Sequence, residues 1–180
     1  RACDDLDGAS FKRVVLAFAP REGGVAVALD VLRMRLLLSE DKKKPLDPDV
    51  RALGRELVAM SSFEKRRQND GRTLAVIARA CLVSPADDAL AEKLCAKLLD
   101  AIGRWKVSPY DYSELVTELG GLFPHAVLNV LVERGTEVTE GRRGMFTSFR
   151  EHRPCPLRKI SDDVLLDWAR ERPETRFHQL

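Results

Sequence analysis

Leucine and alanine return at steps of three and four residues along most of this chain, and the runs are cut by proline, glycine or clusters of serine, aspartate and lysine. Apolar residues at that period line one face of an α-helix, whereas a half-buried strand alternates every second residue. The residues that favour strands are few: aromatics make up 6% of the chain, and isoleucine and threonine are sparse. The fold class expected is all-α.

Taken in order, the rhythm places the helices. Phe11, Val14, Val15 and Phe18 point inward from a helix near Ser10 to Ala19. Val25, Leu29, Leu32 and Leu36 mark a second, which starts at Gly24 and ends near Glu40. Asp41 to Leu46, with three lysines and Pro45, cannot continue that helix and reads as an exposed turn. Asp47 is an N-cap and Pro48 a first helical residue, opening a helix with Val50, Leu53, Leu57 and Met60 inward. Leu74, Ile77 and Cys81 form the next stripe. Ser84, Pro85 and Asp87 restart a helix bearing Leu90, Leu94, Leu98, Ala101 or Ile102, and Trp105. Ser108, Pro109 and Asp111 open another, with Tyr112, Leu115, Leu119 and Leu122, cut at Pro124. A short helix runs from Pro124 to Arg134, with Gly135 as its left-handed stop, and Ser161 caps a last helix with Val164, Leu165 and Trp168.

Laid on itself at an offset of about 41 residues, the chain puts Leu36 on Ile77, Leu53 on Leu94, Leu57 on Leu98 and Leu74 on Leu115. That is the length of a two-helix repeat. Helix pairs of this size, stacked so that each buries its neighbour's apolar face, make a right-handed α-solenoid of roughly four to five hairpins.

The alternation of amphipathic helices, with phrases such as Ala28-Leu29-Asp30-Val31-Leu32 and Pro124-His125-Ala126-Val127-Leu128-Asn129-Val130-Leu131, resembles HEAT and armadillo-type repeats over most of residues 10–134. The resemblance implies a helical surface that binds proteins or, less often, nucleic acid. The closing phrase Ile160-Ser161-Asp162-Asp163-Val164-Leu165-Leu166-Asp167-Trp168, followed by Pro173 and Arg176, is similar to helical C-terminal regions of large bacterial multidomain proteins with an NTPase module upstream. That similarity implies a sensor or scaffold arm. It implies no NTPase activity here, because the chain has no G-x-x-x-x-G-K-[ST] loop.

The 180 residues suit one globular domain, 1–180, with a continuous core. Arg rather than Met at position 1 gives the expectation of a piece of a larger or processed polypeptide. Thirty Lys+Arg against 28 Asp+Glu leave a net charge of +2, which argues against a strongly basic nucleic-acid binder and against an acidic tail. No apolar run approaches a membrane span, and Arg1 to Asp7 is too polar for a secretory signal. Cys3, Cys81, Cys95 and Cys155 form no CxxC pair, and Cys81 and Cys95 fall on apolar helix faces, which favours a cytoplasmic setting over a disulfide framework.

Chemistry-bearing patterns are scarce. His152 and Cys155 lack the second pair a zinc site needs, and His125, His152 and His178 have no evident nucleophile beside them. Trp105, Tyr110, Asp111 and Tyr112 evoke the aromatic and carboxylate set of helical-repeat DNA glycosylases, but core packing and a helix start account for them more simply. No catalytic residue, cofactor or metal is expected. One stretch, 136–160, breaks the helical rhythm. Arg142, Arg143, Arg150, Arg153 and Lys159 are set there among Met145, Phe146 and Phe149, and such a set can contact phosphates and stack on bases. Packing of the apolar members with solvated arginines is the simpler account. Lys42 to Lys44 and Lys65 to Arg67 read as solvated helix ends that complement the negative end of the helix dipole. The function expected is thus a non-catalytic scaffold that binds another protein or a neighbouring domain, with nucleic-acid binding through 142–159 as the alternative.

Overall fold

The computed structural model describes residues 6–43, 45–64, 67, 70–82, 89–104, 112–133, 155 and 157–177. Among them every regular element is helical: α1 (Gly8–Phe18), α2 (Gly24–Asp41), α3 (Pro48–Met60), α4 (Asp70–Cys81), α5 (Ala89–Arg104), α6 (Ser113–Leu122), α7 (Pro124–Val127), a π-helical turn (Leu128–Glu133), α8 (Asp162–Arg170) and α9 (Pro173–Arg176). None of these helices is long and apolar enough to cross a membrane.

Local chemistry starts these helices. Asp7 accepts from the Ser10 N–H at 2.8 Å, and Asp47 accepts from the Asp49 N–H at 2.8 Å with Pro48 in the first turn. Each carboxylate satisfies an N–H that the helix itself leaves orphaned. The two bonds to Ser10 hold the Asp7 carboxyl below its ordinary pKa. Gly23, at φ 70°, makes the left-handed turn that sends the chain from α1 into α2.

The helices pack in two rows. α1 lies on α3, α3 on α5, and α5 on α7 and the π turn, while α2 lies on α4 and α4 on α6. Contacts of α1 with α2, α2 with α3 and α3 with α4 join the rows. The core sits between them and runs without a break from Phe11 and Val15 through Leu32, Leu53, Ile77, Leu98 and Leu115 to Leu131 and Trp168. Alternate helices of the chain therefore share a row. Close approach of the rows has a local cause at Gly54, where an added Cβ would come within 2.5 Å of Cys81 Sγ.

Several inward assignments read from periodicity are corrected. Val14 is 46% exposed, Met60 47% and Leu90 48%, because each lies at the edge of a stripe that its neighbours already fill. On α3 it is Val58, at 1%, that completes the buried face. The helix expected over 124–134 is a single α-turn followed by a π-helical turn, which shifts the side-chain phase and places Asn129 where its Oδ1 accepts from Trp168 Nε1 at 2.7 Å. Ser161 stands at the N-cap of α8 without a side-chain capping bond. Trp105, Tyr110, Asp111 and Gly135 lie outside the described residues.

Candidate functional site

Of the sequence-expected contacts to nucleic acid, Arg142, Arg143, Arg150 and Arg153 lie outside the described residues. Lys159 is described, and its ammonium is paired with Glu118 at 2.5 Å. Tyr112 is a core residue, 3% exposed. Cys155 is an exposed free thiol, and His152 lies outside the described residues. Arg67 does not neutralise a helix C-terminus; it precedes α4, where it pairs with Asp70 at 2.9 Å and reaches across to Asp30 on α2 at 3.2 Å.

The Lys159 pair is the last rung of a longer feature. Glu40 at the end of α2 receives Arg79 of α4 at 2.8 Å, Arg79 also reaches Glu118 of α6 at 3.4 Å, and Glu118 receives Lys159. The sequence separations are 39, 39 and 41 residues, and charge alternates in sign from one rung to the next. Burial disfavours the Arg79 charge, but the Glu40 and Glu118 carboxylates outweigh it and raise its pKa. Ile160, beside the last rung, packs where Gly120 leaves room: a Cβ there would meet the Ile160 side chain at 3.3 Å. The segment 157–160 thus continues the row of α2, α4 and α6.

On the other row, α3 carries an open trough of about 410 Å³ on its outer face. Leu46, Pro48, Ala52 and Ala59 form its apolar wall along the helix, and the exposed Leu90 closes it from α5. Its charged members are Arg51, Arg55 and Glu56. Glu56 is neutralised by Lys12 of α1 at 2.5 Å, and Arg55 is anchored by its Nε donating to the Cys81 carbonyl at 2.7 Å. Arg51 Nε is buried and has no acceptor among the described residues. Just past Ala59, Lys97 of α5 donates to the Ala59 carbonyl at 2.5 Å and lies 5.8 Å from the Phe63 ring centroid. Burial, and then the nearby Arg104, lower the Lys97 pKa. The trough is an apolar surface flanked by arginines, and its described lining sets no nucleophile beside a base. Sequence periodicity gave no notice of it, because Ala52, Arg55 and Ala59 read as an ordinary solvated face; the one available signal was Arg51 and Arg55 a turn apart.

The far end of the molecule is closed by a polar cluster built on a buried arginine. Arg176, 3% exposed, donates to the Trp168 carbonyl at 2.7 Å, pairs with Glu171 at 2.5 Å and stacks 4.5 Å from the Trp168 ring centroid. These bonds tie Arg176 to α8 and its C-terminal turn. No protein-family model, no curated protein and no solved structure matches this chain.

Proposed function

We propose that this chain is a non-catalytic scaffold of the HEAT or armadillo kind, a right-handed α-solenoid of roughly four to five stacked helical hairpins that binds another protein or a neighbouring domain of the same polypeptide. The observation that carries the reading is the charge ladder Glu40, Arg79, Glu118, Lys159, whose separations of 39, 39 and 41 residues match the length of a two-helix repeat. A stack built from such units exposes a long surface whose contacts are set by side chains and not by a catalytic pocket. The open trough on α3 is surface of that kind.

The test is capture from a lysate of the source organism on the immobilised chain at moderate salt, with nuclease-treated and untreated arms, and anisotropy titration of labelled single-strand and duplex DNA and RNA beside it. The expected result is a defined protein partner retained after nuclease, and no nucleic-acid binding at physiological salt. Salt-sensitive binding of the labelled strands, lost when Arg142, Arg143, Arg150 and Arg153 are changed to Ala, would replace the scaffold reading with the nucleic-acid alternative.

A further inference from the structure

We propose that the outer face of α2 is a self-association surface, on which a second copy of this chain docks its own α2 antiparallel to the first. The inference goes beyond the scaffold reading and does not depend on what else the chain binds.

The face exists because α2 is apolar on two sides. Ala28, Leu29, Leu32 and Leu36 are buried in the core. Asp30 and Glu40 fix the side that meets α4, through Thr73 and Arg79. Val27, Val31, Met34 and Leu38 lie round the helix from both, turned away from α4. The helical neighbours α1, α3 and α4 leave this stripe open, with Val27 and Met34 each 54% exposed. Val14 adds to it from α1: Lys12, nearly opposite it round that helix, reaches Glu56 of α3, so the exposed Val14 also faces away from the helices that follow. Exposed valines scattered singly are ordinary, but here apolar side chains line one side of α2 through three turns, about 16 Å.

Symmetry and charge together name the occupant. The steps along the stripe are four, three and four residues, so it reads the same from either end. Reversed about a two-fold axis, Val27 meets Leu38 and Val31 meets Met34, each pair twice, which is the self-complementarity that an isologous contact requires. Many helical stripes have such spacing, and charge supplies the selection. Glu22 stands just before α2 and Lys42 and Lys43 just after Asp41, all three exposed. Among the described residues none of these three side chains has an ion-pair partner. An antiparallel copy brings each Glu22 to the other copy's lysines and opposes the two helix dipoles favourably. A parallel copy would set like charge on like, and a uniformly acidic or basic partner would be attracted at one end of α2 and repelled at the other. The contact is one helix wide, at the small end of specific interfaces, so the association is weak and concentration-dependent.

The experiment is sedimentation equilibrium of the full chain from about 5 to about 500 μM, with a monomer–dimer equilibrium of Kd about 100 μM expected. Val27→Lys combined with Met34→Lys should weaken the dimer by more than about tenfold, because ammonium groups would then be buried without partners. Both sites are exposed in the single chain, and an unchanged circular dichroism spectrum establishes that the fold is kept. Lys42→Glu combined with Lys43→Glu should weaken it about fivefold at low salt, and adding Glu22→Lys should recover most of that loss. A chain that stays monomeric throughout, or a dimer indifferent to lysines on the stripe, would overturn the surface and leave the stripe to a different protein. A dimer weakened further by Glu22→Lys, or not restored by it, would overturn the antiparallel pairing. Capture of a protein partner tests the scaffold reading separately, and its outcome is unaffected by any of these.

Discussion

Cys81 shows how one side chain reports on packing. Its thiol lies against Gly54 where α3 and α4 meet, fully buried, and that burial pushes its pKa from 9.0 up to about 12 even though Arg51 and Arg55 pull the other way. Burial does the same at Cys95, where the nearby Glu92 adds to it. A pKa raised by folding means that the folded state holds a proton the unfolded chain releases. The stability tied to these thiols is therefore fully present below pH 9 and lost as pH rises from 9 toward 12. Urea unfolding followed across that range should show a decline of about 1.4 kcal/mol per pH unit for each thiol. Cys95→Ala, though less stable at every pH, should have about half the thiol-dependent slope; an unchanged slope would mean that the alkaline loss comes from other groups. Burial of Cys81 and Cys95 was legible in the sequence, since both fall on apolar stripes. The partner of Cys81 was not, because Gly54 leaves no mark in a pattern of apolar residues.

At the scale of the element, the two sequence-expected caps with Pro or Asp in the first turn turn out differently. Asp47 accepts a hydrogen bond from the Asp49 N–H, whereas Ser161 holds the N-cap position of α8 without a side-chain bond. Asp47→Ala should cost about 1 kcal/mol in urea unfolding, and Ser161→Ala only a few tenths. Equal losses would show that the capping bond of Asp47 adds nothing to helix stability. Helix existence followed from spacing, and the start of α3 followed from Asp47 and Pro48, because both rest on interactions within a few residues. The π-helical turn over Leu128–Glu133 did not, since an inserted residue in the helical ladder is favoured here by contacts from a distant element: Asn129 meets Trp168 and Arg176, 39 and 47 residues later.

For the molecule as a whole, the ladder from Glu40 to Lys159 joins α2, α4, α6 and the segment 157–160, and Glu118 is its most sheltered rung at 13% exposure. Glu118→Gln keeps an oxygen acceptor but removes the negative charge that Arg79 and Lys159 share. The expected loss is about 1 kcal/mol at low salt, and it should shrink at high salt as screening weakens the wild-type pairs. A loss independent of salt would assign the effect to packing and not to charge. The all-α class and the order of the described helices were determined by the sequence itself, because apolar spacing and capping residues act locally. What only the tertiary structure decided is which sides of those helices remain open. Val14, Met60 and Leu90 are as apolar as their buried neighbours, yet they end at edges because the described helices do not cover them there. The trough on α3 exists for the same reason: Leu46, Ala52, Arg51 and Leu90 come from separate places in the sequence, and only the packing of α3 beside α5 makes them one surface.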